Sequence, residues 1–195
     1  MVNKDRRVRK TKEVLKKSLI SLMKEKSINS ITVKELCEKA DINRGTFYLH
    51  YTDVFYMLDQ IEKELFEQFQ EMILSHEISE DRIETKPILK DIFTFIAQNK
   101  DFCMVILCDR GDMVFVKKIV SIIYEKGYND WINIFKKDNK EIFDKYYSFI
   151  LYGVIGLIDN WLKSGLKESP EYMAILTESM ILNGIKSVKL IEDIL

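Results

Sequence analysis

The sequence is poor in the residues that form tight turns. It has 195 residues but only seven glycines and two prolines, whereas 47% of its residues are hydrophobic and 31% are charged. β-Sandwiches, β-barrels and α/β sheets need many tight turns, so the scarcity of both residue types argues against these classes. The composition instead predicts a globular all-α fold with a sizeable apolar core.

Cysteine is also scarce. Cys37, Cys103 and Cys108 are an odd set without the spacing of a disulfide framework or a zinc site, which predicts a protein of the reducing cytoplasm that holds no metal. The basic start of the chain has no apolar run behind it and therefore does not resemble a secretory signal. The longest strongly apolar stretch, 149–158, is too short to cross a bilayer.

The usual sequence motifs of catalysis are missing as well. The chain has two histidines, His50 and His76, and no G-x-S-x-G, P-loop or H-E-x-x-H pattern. Gly153 and Gly156 lie inside an apolar helical stretch, not after a strand, so they do not form a dinucleotide-binding loop. We therefore expect neither enzymatic activity nor a cofactor.

Charge is present in abundance but is unevenly distributed. The net charge of the chain is −1. Residues 1–50 carry a net charge of +7, and residues 51–195 carry −8. A basic N-terminal quarter on an acidic body indicates that one end of the molecule meets a polyanion.

Three helical segments near the N-terminus follow a helix-turn-helix pattern. Thr32 is the predicted N-cap of the second helix, and Glu35 stands three positions later, as in a capping box. A two-residue turn leads to the third helix, which Asn43 caps and which runs from Arg44 to about His50. Helices with these caps and a tight turn between them predict a DNA-binding unit.

The chain is expected to divide into two functional parts. Residues 1–52 form the predicted helix-turn-helix domain, with 1–9 as a mobile basic arm, and residues 53–195 form a helical effector-binding and dimerisation domain. The segment 77–86 is predicted to be a loop. The helices predicted for the second part cover residues 54 to about 76, 87–98, 102–108, 113 to about 126, 141–163, and 170 almost to 195.

The start of the third helix has the residues that base recognition requires. In a helix-turn-helix this end of the helix meets base edges in the major groove. Asn43, Arg44, Gly45 and Thr46 are small or polar, and Arg44 can form a fork of hydrogen bonds with guanine O6 and N7. Thr46 suits a thymine methyl group or a phosphate.

Four further residues are predicted to contact the DNA backbone. Thr32 and Lys34 stand at the N-terminus of the second helix, where the helix dipole favours a phosphate. Tyr48 and His50 flank the end of the third helix and can donate hydrogen bonds to phosphates.

Residues 32–58, TVKELCEKADINRGTFYLHYTDVFYML, resemble the DNA-binding signature of TetR/AcrR-type transcriptional regulators. The resemblance implies an all-helical homodimer with an N-terminal DNA-binding unit and a ligand-binding body, usually a repressor that a small molecule releases. It assigns base contacts to Arg44, Gly45 and Thr46. It assigns phosphate contacts to Thr32, Tyr48 and His50.

Two positions depart from the family pattern. Asp41 occupies the turn position where the family usually has glycine, and aspartate tolerates the left-handed conformation better than most residues. Val54 stands where the family often has a phosphate-binding lysine. The basic residues of the N-terminal arm are expected to compensate by neutralising phosphates. These are Lys4, Arg6, Arg7, Arg9 and Lys10.

The last two long helices are predicted to form a dimer interface. The first is apolar around much of its circumference, and Gly153 and Gly156 allow another helix to approach closely. We expect both helices to pair with their two-fold copies, which matches a palindromic DNA operator. The segment 152–173 is also loosely similar to the subgroup that includes a dihydroxyacetone-kinase activator. The predicted interface residues are Val154, Ile158, Trp161, Leu162, Leu176, Met180 and Ile181.

Aromatic residues of the body are candidates for a small-molecule effector site. Such residues line a protein core more often than a pocket, so both interpretations stay open. An effector-independent DNA-binding protein is one alternative, and a protein-interaction module with a basic N-terminal face is another. Operator sequence, effector identity and the sign of regulation are left open. The candidate pocket residues are Phe93, Phe102, Phe115, Tyr124, Trp131 and Tyr147.

Overall fold

The computed structural model describes residues 2–76, 85–109, 113–135 and 139–192, and every regular element in these ranges is helical. The predicted all-α fold is therefore confirmed. The helices are α1 (Val2–Glu25), α2 (Val33–Ala40), α3 (Arg44–Tyr48), α4 (Val54–Leu74), α5 (Lys86–Gln98), α6 (Lys100–Cys103), α7 (Met113–Phe135), α8 (Lys140–Lys163) and α9 (Pro170–Glu192).

The chain forms two compact units. The first comprises Met1–Glu67 with Asp101–Asp112, and the second comprises Gln68–Lys100 with Met113–Leu195. The division by packing thus falls within α4. The predicted boundary at residue 52 concerns function rather than packing, and it stays a prediction.

The core of the first unit draws one or more side chains from each of its first four helices. Leu15 and Leu19 of α1, Leu36 of α2, Phe47 of α3 and Met57 of α4 are completely buried. The apolar residues of α1 and α2 recur at helical spacing, so each helix turns one face to this core. This packing fixes α2 and α3 on the surface of the unit.

The predicted mobile arm is wrong, because residues 2–9 belong to α1. Lysine and arginine are good helix formers, and this basic segment runs without a breaker into the apolar stripe of the same helix. Polarity alone suggested a flexible tail, although the segment lacks the glycine and proline that would end a helix. The described side chains at its surface include Arg6, Arg7, Arg9 and Lys10, all exposed.

Two more predicted boundaries change in the structure. Gly127 does not end a helix, because α7 continues through it to Phe135. Packing of this segment against α8 overrides the helix propensity that one glycine loses, about 1 kcal/mol. The predicted helix at 102–108 becomes α6 followed by a π-helical turn at Met104–Asp109. The predicted loop lies outside the described residues except for its end at 85–86.

In the second unit, α8 and α9 form a helical hairpin. Gly165 has a φ of 82°, and the Leu166 and Gly165 amides donate to the Trp161 and Leu162 carbonyls, 3.0 and 3.1 Å away. This pattern closes the C-terminus of α8 as a Schellman motif. The Ser169 hydroxyl then caps α9 by accepting from the Tyr172 amide at 3.1 Å. Helix α5 packs along α9.

Candidate nucleic-acid interface

The second helix begins at the predicted cap. Thr32 Oγ1 accepts a hydrogen bond from the Glu35 amide at 3.2 Å, and the Thr32 backbone is extended. The Glu35 carboxylate accepts a hydrogen bond from Lys26 Nζ of the α1–α2 connection at 2.5 Å. Thr32 therefore makes its half of the capping box, while Glu35 ties α2 to the end of α1.

The turn between α2 and α3 is built on a left-handed aspartate. Asp41 has φ 53° and ψ 47°, and its amide donates to the Glu38 carbonyl at 3.3 Å. The next amide, of Ile42, donates to the Cys37 carbonyl at 3.0 Å. These two bonds satisfy the end of α2 in the way that a glycine usually allows. The turn thus forms with Asp41 in the glycine position.

The third helix is short and is anchored by one side chain. Asn43 Oδ1 accepts from the Gly45 amide at 2.8 Å, which fixes the start of α3. Phe47 is 0% exposed, and its ring meets the rings of Tyr48 and Tyr51 at centroid distances of 5.5 and 5.7 Å. Since Phe47 holds the inner face of α3 to the core, the opposite face is directed to the solvent.

All eight predicted DNA-binding residues reach the surface of the first unit. Thr46 and His50 are partly exposed, and the other six are exposed. Three of them, Lys34, Asn43 and Arg44, line a surface cleft of about 520 Å³ between α2 and the start of α3. Cys37, Glu38, Asp41 and Ile42 complete its lining. The structure thus brings the start of α2 and the start of α3 to one surface.

The charges of this cleft are of both signs. Lys34 Nζ lies 4.0 Å from a Glu38 carboxylate oxygen, and both side chains are well exposed. Burial raises the pKa of the Cys37 thiol, although the positive charge of Arg44 acts in the opposite direction. A thiol with a raised pKa stays protonated, so Cys37 serves as a small packing residue rather than a nucleophile.

Gly45 has no internal reason to be a glycine. It does not adopt a left-handed conformation, and a Cβ atom built on it would meet only Asn43 Oδ1, at 3.4 Å, which is an ordinary contact. Glycine in a helix costs about 1 kcal/mol relative to alanine. The glycine leaves the backbone at this point accessible to an atom from outside the chain.

Two residues at the edge of this surface bear on the family pattern. Val54 is only 3% exposed, so the valine that replaces a lysine packs in the core and has no access to a phosphate. Leu49, which the sequence reasoning did not single out, is 79% exposed directly after α3. Its position four residues after Gly45, off the face of Phe47, is the signal that could have found it.

The basic residues at the two ends of α1 differ in their ion pairs. At the C-terminal end Lys24 pairs with Asp101 at 2.5 Å, and Lys26, just after the helix, pairs with Glu35. Near its N-terminal end, only Arg9 has a described ion pair, a weak one with Glu13 at 3.9 Å. The basic charge that is open to an external polyanion therefore lies toward the start of α1.

Three of the six candidate pocket residues come together. Tyr124, Trp131 and Tyr147 surround Phe143, with ring centroids 5.3 to 5.6 Å from it. Phe93 instead packs edge-on against Trp161 at 5.4 Å. The remaining two candidates lie elsewhere: Phe115 is a partly exposed residue of α7, and Phe102 is buried in the first unit.

The seven candidate interface residues divide by burial. Trp161 is 1% exposed and donates from Nε1 to the Glu168 carbonyl at 3.0 Å, and Leu162 and Ile158 are buried beside it in the sequence. These three side chains have almost no surface left for a partner chain. Of the other four, Met180 is exposed, and Val154, Leu176 and Ile181 are partly exposed. The face of α8 that does reach solvent includes Phe149 and Tyr152.

Two kinds of structural feature are missing from the described ranges. Among the helices of the described ranges, none combines the length and apolar character needed to span a bilayer. Within the same ranges, no cluster of three or more histidine, cysteine, aspartate or glutamate side chains is placed to bind a metal ion.

Known proteins resemble this chain in both sequence and fold. A family described as "Transcriptional regulator C-terminal region", of the TetR type, matches residues 84–183. The HTH-type transcriptional regulator YxbF of Bacillus subtilis (strain 168) is 31% identical over 105 residues, which are 50% of this chain and 26% of that protein. The chain thus matches about a quarter of that relative's length.

Solved structures extend the comparison to nearly the whole chain. A TetR transcriptional regulator from Streptococcus agalactiae 2603V is 24% identical with a TM-score of 0.57, over 92% of this chain and 98% of that one. FadR from Bacillus subtilis, solved in complex with stearoyl-CoA, is 14% identical with a TM-score of 0.64, over 88% and 98%. Both likenesses concern the fold alone. With the family match over half of its length, this chain belongs to the TetR family of DNA-binding transcriptional regulators.

Proposed function

We propose that the protein is a homodimeric repressor that binds a palindromic DNA operator through α2 and α3 and is released by a small molecule in the cytoplasm. One observation carries the DNA-binding part of the proposal: the inner face of α3 is fixed by Phe47, while every predicted contact residue is directed outward. That arrangement presents a rigid polar helix end to the major groove.

The start of α3 is the proposed base-reading element. Arg44 is exposed at the first helical position, and its planar guanidinium matches the two acceptors of guanine. Gly45 permits the backbone to approach the base edges, and Thr46 can contact a thymine methyl or a phosphate. Asn43 already accepts the Gly45 amide, so its oxygen serves the helix while its amide group can still donate to DNA.

The phosphate contacts are proposed for the residues around this element. Thr32 and Lys34 mark the N-terminus of α2, where unpaired amides and the helix dipole attract an anion. Tyr48 and His50 stand at the opposite end of α3. The exposed basic residues at the start of α1 add to these contacts and offset the phosphate contact that Val54 lacks.

A dimer is proposed because one DNA-binding unit cannot contact both half-sites of a two-fold operator. Half-sites roughly 34–36 Å apart require two such units held at that spacing. The exposed apolar residues of α8 and α9 supply a face for a second copy. The exposed members are Phe149, Tyr152 and Met180, and the partly exposed Val154, Leu176 and Ile181 are proposed to adjoin them.

The effector site is proposed at the aromatic cluster of α7 and α8. Tyr124 donates a hydrogen bond to Asp144 at 2.6 Å, and Tyr147 donates to the Val120 carbonyl at 3.0 Å. Both hydroxyls already donate within the protein, so a ligand at this cluster would meet mainly aromatic surface, which suits a largely apolar molecule. If the cluster is instead packed core, the protein is an effector-independent regulator. Membership of the subgroup with a dihydroxyacetone-kinase activator stays a prediction.

The first experiment is the measurement of affinity for DNA across a salt series. Duplexes that the protein retains are selected from a random pool, and their affinity is compared with that of a scrambled duplex. A regulator should bind its selected duplex more tightly by roughly 4–10 kcal/mol. Equal affinity for both duplexes would favour the protein-interaction module with a basic face.

Arg44→Ala tests which residue reads the sequence. We expect this variant to lose the preference for the selected duplex by about 1–3 kcal/mol while most binding to the scrambled duplex remains. Lys34→Ala is the matched control, since a lost phosphate contact weakens both duplexes alike and lowers the salt slope by about 1. An equal loss on both duplexes for Arg44→Ala would contradict its role in base reading.

A further inference from the structure

Leu49 is the most exposed large hydrophobic residue in the part of the chain that the structure describes. Its side chain is 79% exposed, although leucine is one of the residues most often buried. It also lies on the surface that is proposed to bind DNA, directly after the last residue of α3. A single exposed leucine is common on a protein surface, so its position among the proposed DNA contacts of α3, rather than its exposure alone, is what bears on its role.

The backbone places Leu49 on the outer face of α3. Its φ and ψ are −69° and −18°, so it continues the helical conformation, and its amide donates to the Gly45 carbonyl at 3.3 Å. Residues four apart lie one above the other on the same helix face. Leu49 is therefore one turn below Gly45, on the side away from the buried Phe47.

Because Gly45 has no side chain, a duplex can come closer to this face of α3 and therefore closer to Leu49. Nothing on the described surface except Asn43 lies within 4 Å of where a Cβ atom of Gly45 would be. A duplex can thus approach the backbone at Gly45 closely, and the next contact along the same face is then the isobutyl group of Leu49. Arg44 and Tyr48 flank this line with polar groups.

The chemistry of the major groove offers one apolar group, the C5-methyl of thymine. Leucine neither donates nor accepts hydrogen bonds, so phosphates and the polar base edges gain nothing from it. We propose that Leu49 determines specificity by packing on the methyl group of a thymine in each half-site. This inference rests on the proposed function and adds a reading residue after the C-terminal end of α3 to those proposed at its start.

The test removes the methyl group from the DNA and the leucine from the protein. Each thymine of the selected duplex is replaced in turn by deoxyuridine, which keeps base pairing and deletes only the methyl. The wild-type protein should lose about 3- to 10-fold in affinity at one thymine position of each half-site. On the thymine duplex, Leu49→Ala should bind with an affinity reduced by a similar factor. At the responsive position this variant should bind the thymine and the deoxyuridine duplex with equal affinity.

The matched control is Leu74→Ala, which truncates another exposed leucine, at the end of α4. This control should keep the full difference between thymine and deoxyuridine. Thermal melting should place both variants close to the wild type, since neither leucine is buried.

Two outcomes would overturn the inference. If no thymine position responds to deoxyuridine, or if Leu49→Ala still distinguishes the two bases at every position where the wild type does, Leu49 does not read a methyl group. Sequence-specific binding by the wild type would then leave the proposed function intact. If the wild type prefers no duplex over a scrambled one, the proposed function and this inference fail together.

Discussion

At the scale of single residues, the surface proposed to face DNA has a task separate from folding. Arg44, Tyr48 and Leu49 are exposed, whereas Phe47 between them is buried completely. One residue in this stretch thus supplies most of the packing, and its neighbours are available for contacts. Substitutions on the outer face should therefore change DNA binding with little change in stability.

Gly45→Ala is the substitution that should separate folding stability from DNA binding most clearly. Alanine adds a methyl group that meets only an ordinary contact with Asn43 Oδ1. The free energy of unfolding should rise by about 0.5–1 kcal/mol, because alanine is the better helix former. Affinity for the selected duplex should fall, since the methyl group holds the backbone away from the bases. Chemical denaturation and fluorescence anisotropy on the same preparation check both effects. A gain in stability with unchanged affinity would contradict a close backbone approach.

At the scale of helices, the pair α8 and α9 meets at a tight contact. A Cβ atom at Gly184 would lie 2.9 Å from Cε2 of Tyr146. That ring is held in place, because its hydroxyl donates to the Ile181 carbonyl at 2.6 Å and its face lies 5.7 Å from Trp131. Burial also raises the pKa of Tyr146, so its hydroxyl stays a donor over the ordinary pH range.

Gly184→Ala should therefore destabilise the fold. Overpacking costs roughly 1–3 kcal/mol, which exceeds the gain in helix propensity from alanine. The control is Gly127→Ala in α7, where the added Cβ atom would lie an ordinary 3.8 Å from Phe143. We expect the control to be neutral or more stable in denaturant titrations. Equal effects of both substitutions would mean that Tyr146 moves aside without cost.

Helices were predictable where their ends are set by nearby residues. Thr32 and Asn43 each cap the helix that the sequence assigns to them, because a cap depends on residues two or three positions apart. Gly127 misled the prediction, since packing between helices decided whether α7 continued. The prediction for the basic start of α1 was also wrong, because this segment continues without a break into the apolar part of the same helix.

Burial within the body was harder to predict. Helix α8 is apolar around much of its circumference, so its periodicity does not tell which residues face the chain's own core. Trp161 and Leu162 turned out to be core residues, and Phe149 and Tyr152 are exposed. On α3 the pattern was clearer, because Phe47 alone is directed inward. Leu49 was missed since an apolar residue is normally assigned to a core.

At the scale of the whole molecule, the proposed dimer can be tested through the exposed face of α8. Phe149 is 76% exposed and Tyr152 lies one turn further along the same helix. Phe149→Glu should weaken self-association by at least about 100-fold, because a buried carboxylate without a partner is costly. Sedimentation velocity over a concentration series measures this change.

Leu74→Glu serves as the control for that measurement, since it places the same charge on an exposed leucine outside the proposed face. It should leave self-association unchanged. Affinity for a two-site duplex should fall with Phe149→Glu, while affinity for a single half-site should not. A wild-type chain that stays a monomer at every concentration would refute the dimer.

The burial of Phe47 has a consequence for how this protein could diverge. Since one inward ring and the Asn43 cap hold α3 in place, the outward positions carry almost no folding constraint. Gene duplication followed by changes at these positions would give new target preferences on an unaltered scaffold. An engineer could likewise retarget the protein by a small library confined to the outer face, with the aromatic anchor left untouched.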